Sequence, residues 1–264
     1  MKITVFTSNQ PRHIALVNRL AKISETTYAI LESNTVFPGQ IQDFYKKSEI
    51  SQKYFSNVLA AENKIFGNLT FTANNVKSLP LKSGDLNLLA KPQLSEALGS
   101  DVFVVFGSSF IKGWLIEFLV QNNALNIHMG LSPYYRGSSC NFWALYDNRP
   151  EFVGATIHLL SRGLDSGPIL YHAIPKLERE NPFEFTMRSV DVAQKSLVKK
   201  IAQNELKALT PVLQDKKLQL RYSRDSDFTD DVAAEFLSRS LDNQKLQEML
   251  DIAITPSLVL PITL

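Results

Sequence analysis

Three side chains in this sequence, Asn126, His128 and Asp165, combine the types that can support one kind of reaction. Asn126 and His128 are separated by one residue, and Asp165 follows His128 by 37 positions. A neutral amide can donate hydrogen bonds to an oxyanion, an imidazole can move a proton, and a carboxylate can hold the imidazole in a useful charge state. This set predicts acyl transfer without a covalent nucleophile.

Each of these residues also has an ordinary structural explanation when it is taken alone. Asn at a strand end and Asp in a Leu-Asp-Ser-Gly segment are common turn residues, and a single His is more often a hydrogen-bonded side chain than a catalyst. We expect His158 to support the site or pack beside it, and His13 and His172 are weaker candidates still. A metal site built from His128, His158 and Asp165 matches no metal-ligand spacing, so no metal is expected.

Two apolar segments would bring the three side chains to one edge of a sheet. Residues 102–106 form a run of five apolar residues, typical of a central strand buried on both faces, and Gly107 follows. Residues 124–128 read as the next strand, and alternation places Asn126 and His128 on the same face. In open α/β sheets, ligand sites form beyond the carboxyl ends of such strands. The sequence therefore predicts a site at that edge.

The periodicity of the first half predicts a Rossmann-like, doubly wound α/β fold with a mostly parallel sheet. Strands are expected at residues 3–6 and 27–31, with a helix between them that begins after Pro11. A long helix is expected from about Gln40 to Phe66, with Phe44 among its core contacts. No Gly-x-Gly-x-x-Gly segment follows the first strand, which argues against a nicotinamide or flavin site.

The second half predicts a catalytic domain over residues 1–180 and a small α+β extension over residues 181–264, packed on that domain or on a second subunit. The expected elements are a helix beginning near 138–145, a strand at 155–160, a helix from 182 to about 205, an edge strand at 217–222 and a helix at 228–237.

Composition and charge exclude several classes of protein. The chain has 264 residues, of which 44% are hydrophobic and 20% charged, and this suits one large globular domain. A net charge of +2, with basic residues spread among acidic ones, argues against a nucleic-acid partner. No apolar run approaches the roughly 20 residues of a membrane span. One cysteine, Cys140, and an N-terminus that reads as a first strand rather than a signal peptide make a cytoplasmic protein the expectation.

Four short segments, in this order and spacing, resemble the folate-dependent formyltransferases. They are residues 125–128 (LNIH), 132–137 (SPYYRG), 154–158 (GATIH) and 164–169 (LDSGPI). The resemblance extends over roughly residues 1–180. It implies a Rossmann-like catalytic domain, N10-formyltetrahydrofolate as the formyl donor, a primary amine as the acceptor, and no metal.

The resemblance also implies a role for each candidate residue. Formyl transfer to an amine passes through a tetrahedral intermediate whose oxygen becomes negative while the attacking nitrogen becomes positive. Asn126 and His128 are then implied to stabilise the oxyanion and supply acid catalysis, and Asp165 to help carry the proton to the folate leaving group. The residues implied to contact the pterin are Phe106, Gly107 and Ile111 on one side and Gly163 and Leu164 on the other.

The acceptor is the least determined part of this interpretation. Family members that formylate initiator methionyl-tRNA or glycinamide ribotide usually have a serine two places after the histidine and a Leu-Leu-Pro, whereas residues 129–133 here read MGLSP. Residues 181–264 are also too few for the separate β-rich domain of tRNA formyltransferases. We therefore expect a small amine acceptor. The best candidate is an amino sugar that is nucleotide-linked and used in surface-glycan biosynthesis.

Other functions stay open at this point. Within the same chemistry they are glycinamide ribotide or methionyl-tRNA formylation and hydrolysis of formylfolate. Outside it, a non-catalytic folate- or nucleotide-binding module on the same fold is the alternative, since a fold alone does not fix function. A homodimer is compatible with the sequence and is not specified by it.

Overall fold

The structure is a computed structural model that describes residues 1–33 and 48–264, and its described part contains ten strands. The strands are β1 (Lys2–Ser8), β2 (Thr26–Ser33), β3 (Val76–Lys82), β4 (Val102–Val105), β5 (Leu125–His128), β6 (Tyr135–Gly137), β7 (Ala155–Leu159), β8 (Ile169–Ile174), β9 (Arg221–Ser223) and β10 (Ile262–Thr263).

Eight of these strands form one sheet in the order β10-β8-β7-β5-β4-β1-β2-β3. The strands from β3 across to β5 are all parallel to their neighbours. β7 then runs antiparallel to both β5 and β8, and β10 is parallel to β8. The mostly parallel α/β sheet expected from the sequence is confirmed, and the carboxyl ends of β1, β4 and β5 meet at one edge.

Helices cover both faces of this sheet. They are α1 (Pro11–Ala21), α2 (Glu49–Phe66), α3 (Ser95–Leu98), α4 (Gly113–Gln121), α5 (Cys140–Tyr146), α6 (Pro182–Ala202), α7 (Asp230–Ser238) and α8 (Asn243–Ile252). β4 shows how the two cores divide, because Val104 packs into the core that contains Leu16 of α1 and Leu197 of α6. Phe103 and Val105 pack into the opposite core, with α4. The expectation of a strand buried on both faces is therefore confirmed.

Two predicted elements differ from the observed ones at their ends. Within the described residues the long helix begins at Glu49, after the Ser48 cap, and the predicted stretch from Gln40 to residue 47, with Phe44, lies outside the described residues. The edge strand expected at 217–222 is observed as β9, which is shorter and begins later in the chain. The Asp215 side chain accepts a hydrogen bond from the Lys217 amide and turns the chain into a short 3₁₀ helix before the strand can form.

The residues after β8 contact both the main sheet and the site region. α6 begins at an Asn181 cap and packs into the same core as β1 and β5. β9 pairs in parallel with β6 in a separate two-stranded sheet, and β10 extends the main sheet beyond β8. The division of the chain at residue 180 stays a prediction. Across the described ranges, no helix is both long and apolar enough to cross a membrane.

Candidate active site

β5 carries Asn126 and His128 to the carboxyl edge of the sheet on one face. Both side chains are largely buried, at 8% and 6% exposure. Asp165 lies in the loop that joins β7 to β8, and β7 pairs directly with β5. The antiparallel pairing places the far end of β7, and the loop after it, beside Asn126. The structure thus brings together the three side chains that the sequence singled out.

The Asp165 carboxylate lies between the other two side chains. The Asn126 Nδ2 group donates to Asp165 Oδ1 at 3.2 Å. The Nδ1 atom of His128 lies 3.3 Å from Asp165 Oδ2. A carboxylate that accepts from an amide and faces an imidazole orients both groups at once.

His158 contacts Asn126 directly, which the sequence did not specify. Its Nδ1 lies 2.8 Å from the Leu159 carbonyl and donates to it, so Nε2 is left as an acceptor for the Asn126 amide, 2.9 Å away. Burial, reinforced by the charge of His128, holds the pKa of His158 well below its ordinary value. A neutral His158 therefore orients the Asn126 amide. Asn126 and His158 lie opposite each other in the β5–β7 pair, so the register of these two strands sets the contact.

The second nitrogen of His128 also faces an acceptor. His128 Nε2 lies 3.2 Å from the Tyr135 carbonyl on β6 and 3.6 Å from the Cys140 sulfur. Both ring nitrogens of His128 thus face hydrogen-bond acceptors. The ring is held between Asp165 and β6.

One cavity of about 780 Å³ contains these groups and all five residues expected to contact the pterin. Its volume lies within the range of small-molecule sites. Asn126, His128 and Asp165 form part of its wall, and the expected donor-side residues that line it are Phe106, Gly107, Ile111, Gly163 and Leu164. The geometry places the predicted donor and catalytic residues around a single space.

Gly107 occupies a position where a larger residue would not fit. Its φ of +65° lies in the left-handed region, and an added Cβ would come within 2.4 Å of the His13 ring. His13 stacks on Phe106 at 4.6 Å and its Nδ1 lies 2.7 Å from the Thr7 hydroxyl. Burial, and then the charge of Arg12, keep the pKa of His13 well below its ordinary value. His13 therefore supports the donor side of the cavity as a packed neutral ring.

Glu32, at the end of β2, holds the loop that follows β4 and was missed from the sequence. This carboxylate is 2% exposed, and it accepts from the Ser109 amide at 2.6 Å and the Ser109 hydroxyl at 2.8 Å. It also accepts from the Gly84 amide at 2.8 Å. The only signal in the sequence is an acidic residue that ends an apolar strand.

Aromatic rings from several elements also line the cavity. Two belong to α2 and one each to α5, α6 and the segment before α7; they are Tyr54, Phe55, Phe142, Phe183 and Phe228. Rings from distant parts of the chain thus line the same cavity as the predicted site residues.

Gly130 and Cys140 fit each other beside His128. A Cβ on Gly130 would lie 2.5 Å from the Cys140 Cβ and 2.9 Å from His128 Nε2. The missing side chain at 130 therefore makes room for Cys140. Burial, with the nearby Asp165 carboxylate, raises the pKa of the Cys140 thiol, which favours packing over nucleophilic chemistry.

Within residues 1–33 and 48–264, no group of three or more His, Cys, Asp or Glu side chains is placed to hold a metal ion.

Comparison with known proteins identifies one family. The family described as formyl transferase matches residues 1–201. The methionyl-tRNA formyltransferase of Synechococcus sp. (strain JA-2-3B'a(2-13)) is 31% identical over 121 residues, which are 46% of this chain and 37% of that relative. The match thus spans little more than a third of that curated relative's length.

Solved structures share the fold at low sequence identity. A sugar N-formyltransferase from Shewanella sp FDAARGOS_354 aligns with a TM-score of 0.51 at 18% identity, covering 86% of this chain and 78% of that chain. The N-formyltransferase from Helicobacter canadensis, solved with folinic acid and dTDP-3-aminofucose, aligns with a TM-score of 0.51 at 13% identity, covering 87% and 73%. At such identities the likeness establishes the fold alone.

Proposed function

Because this chain belongs to the formyl transferase family, we propose that it moves a formyl group from N10-formyltetrahydrofolate to the primary amine of an amino sugar. The observation that carries the proposal is the Asn126, His128 and Asp165 cluster in the wall of one cavity. The amino sugar is proposed to be nucleotide-linked and used in surface-glycan biosynthesis. Amide, imidazole and carboxylate supply the donors and the proton acceptor that this transfer requires.

The cavity suits the proposed donor. Gly107 lines the cavity without a side chain, because a Cβ there would collide with the His13 ring behind it, and its backbone is left open to a flat ring. Ile111 is 5% exposed and belongs to the hydrophobic core on that side of the sheet, and Phe106 is stacked in place. An apolar floor with accessible backbone groups is suited to a pterin, whose ring is planar and rich in donors and acceptors.

The residues divide the chemistry as follows. The amine nitrogen forms a bond to the formyl carbon, the bond from that carbon to N10 breaks, and one proton passes from the amine to N10. His128 donates a hydrogen bond to the formyl oxygen as negative charge develops there, when that oxygen competes with the Tyr135 carbonyl for the Nε2 hydrogen. Asn126 adds a second donor when the oxygen competes with Asp165 for its amide hydrogen. Asp165 receives the proton from the amine and returns it toward N10, directly or through water.

The aromatic residues in the cavity wall support an acceptor with an apolar face. Tyr54, Phe142 and Phe228 line the cavity, and a sugar face or a nucleotide base can pack against such rings. The Helicobacter canadensis structure contains a nucleotide-linked amino sugar. Methionyl-tRNA is the second candidate acceptor, because the Synechococcus relative carries that name. The net charge of +2 favours the smaller acceptor.

The test measures tetrahydrofolate release from N10-formyltetrahydrofolate with separate acceptors. The panel contains nucleotide-linked amino sugars, free amino sugars, glycinamide ribotide and methionyl-tRNA, with amine-free controls. Release that depends on an amino-sugar nucleotide supports the whole proposal. Release that depends on another amine keeps formyl transfer and replaces the acceptor, and release without amine replaces transfer by hydrolysis. Donor binding without turnover across the panel overturns the proposal in favour of a binding module.

A further inference from the structure

The loop that carries Asp165 adopts an unfavourable backbone conformation that needs stabilising contacts from other parts of the chain. Asp165 has a φ of +45°, in the left-handed region, which costs an ordinary residue roughly 1–2 kcal/mol. Two positions later, a Cβ on Gly167 would lie 1.7 Å from the Leu159 carbonyl oxygen, so the loop is pressed against the end of β7. The position of the carboxylate depends on whatever keeps this turn in place.

Gln214 holds the loop from the other side. Its Nε2 group donates to the Asp165 carbonyl at 2.8 Å and to the Gly167 carbonyl at 2.8 Å. Both amide hydrogens are thus used on the two carbonyls that flank Ser166. The reverse orientation would point the Gln214 oxygen at two carbonyl oxygens, so only one orientation of the amide fits.

Gln214 reaches the loop because its own segment is hydrogen-bonded to the first residue of β8. The Ile169 amide donates to the Val212 carbonyl at 2.7 Å, and the Val212 amide donates back at 2.8 Å. Leu213, between Val212 and Gln214, is 80% exposed. The segment therefore buries little apolar surface there, and its fixed features are these backbone bonds and the Gln214 amide.

The Gln214 side chain is also not optimised for stability. Its Oε1 atom is buried and has no hydrogen-bond partner among the described residues. An unpaired buried acceptor typically costs on the order of 1–3 kcal/mol. Gln214 also lies beyond residues 1–201, the part matched to the family.

We propose that Gln214 is a positioning residue that keeps Asp165 in the backbone conformation from which its carboxylate reaches Asn126 and His128. This inference rests on the proposed function, because it assumes that Asp165 takes part in formyl transfer. The carboxyl-terminal part of the chain thereby reaches the reacting groups through one amide.

The first experiment compares kcat and KM of Gln214→Ala and Gln214→Glu with wild type. We expect kcat to fall roughly 10- to 100-fold, since a displacement near 1 Å can cost on the order of 10²-fold, with the KM for the formyl donor largely unchanged. Gln214→Glu keeps the size of the side chain and aims a carboxylate at two carbonyls, so its loss should be at least as large. Gln247→Ala, which removes a surface hydrogen bond on α8, is the matched control.

The second experiment separates positioning from a general structural effect. In an Asp165→Ala background, Gln214→Ala should change the residual rate by less than about twofold, because the group that it positions is gone. Losses that multiply would overturn the inference, and so would a wild-type kcat in the single Gln214 variants. Wild-type protein that transfers no formyl group would instead reject the proposed function. The two failures are therefore distinguishable.

Discussion

The two carboxylate oxygens of Asp165 face two different groups. One accepts from the Asn126 amide and the other faces His128 Nδ1. His158, held neutral by burial, takes the remaining hydrogen of the Asn126 amide. One carboxylate thus contacts both the amide and the imidazole, which makes Asp165 the most informative residue to change.

We predict that Asp165→Asn and His128→Ala each lower kcat by on the order of 10²–10³, the usual loss for a preorganised group at a developing charge. Asn at position 165 would keep only one acceptor oxygen, so it could accept from Asn126 or face His128 Nδ1 with an oxygen, but not both. Tetrahydrofolate binding, measured by calorimetry, should persist because neither side chain is among the expected pterin contacts. Asp251→Asn, on the exposed face of α8, is the control. Wild-type turnover in either variant would refute the assigned roles.

A second prediction at this scale concerns Glu32. The Glu32→Gln change places an amide group opposite the Ser109 or Gly84 amide, and the loop after β4 loses a charged acceptor. Because hydrogen bonds to charged groups contribute about 1.5–3 kcal/mol, we expect the KM for the formyl donor to rise roughly tenfold, with a smaller change in kcat. Steady-state kinetics at saturating acceptor measure both, with exposed Glu25→Gln as the control. An unchanged KM would show that the loop does not need this anchor.

At the scale of elements, the β6–β9 pair supports one side of the site. β6 supplies the Tyr135 carbonyl that faces His128 Nε2. Arg221 on β9 makes two hydrogen bonds to Asp147, at 2.9 and 2.7 Å, and Asp147 also accepts from the Tyr135 hydroxyl at 3.1 Å. This two-armed contact fixes the register of the short pair. A strand from beyond residue 201 therefore contributes to the placement of His128.

Gly137 and Gly84 provide a matched test of this pair. Their φ values are +90° and +93°, so alanine costs each a similar backbone strain of about 1–2 kcal/mol. A Cβ at 137 would lie 2.0 Å from the Ser223 carbonyl oxygen, whereas one at 84 meets nothing within 4 Å. We predict that Gly137→Ala lowers the free energy of unfolding by roughly 1–3 kcal/mol more than Gly84→Ala, measured by urea denaturation. Equal losses would mean that the β6–β9 contact is dispensable.

At the scale of the whole molecule, His172 ties the chain's last residues to the turn after β5. Its Nε2 donates to the Ser132 carbonyl at 2.9 Å, and its Nδ1 accepts from the Val259 amide at 2.9 Å. Only the bond from Val259 requires the neutral ring, because Nδ1 accepts a hydrogen bond only when it carries no proton. Burial lowers the pKa of His172 from 6.5 to about 4. Protonation would therefore turn the Nδ1 acceptor into a donor and break the hydrogen bond between the Val259 amide and the His172 ring.

This arrangement predicts a dependence of stability on pH. The pKa of His172 is about 4 in the folded chain and near 6.5 when unfolded, so the unfolded state binds more protons between these values. The stabilisation is complete above pH 6.5 and is lost as the pH falls toward 4, by about 3 kcal/mol in total at 1.36 kcal/mol per unit. In His172→Gln, the free energy of unfolding should therefore change less between pH 6.5 and pH 4 than it does in wild type.

Urea denaturation from pH 8 to pH 4 measures the effect. The loss in His172→Gln at pH 8 gives the cost of the altered hydrogen bonds alone and serves as the internal control. His13 and His158, whose pKa values are also lowered by burial, should leave a residual slope. A variant curve parallel to that of wild type across this range would contradict the assignment.

The sequence by itself determined the α/β class, the doubly buried β4 and the common face of Asn126 and His128. These features follow from local rules, since strand side chains alternate with a period of two and apolar runs mark buried strands. The order of the short segments indicated the family, and the family match over residues 1–201 confirms it.

Only the tertiary structure decided which groups support the site. Glu32 contacts Ser109 across 77 positions, His158 contacts Asn126 across 32, and Gln214 contacts the Asp165 carbonyl across 49. No periodicity in the sequence encodes such contacts, because each depends on how whole elements pack and on the path of a turn. A hydrogen bond forms only when donor and acceptor lie within about 3 Å at a suitable angle. That condition is met only once the sheet, its register and the carboxyl-terminal segment have assembled around the cavity.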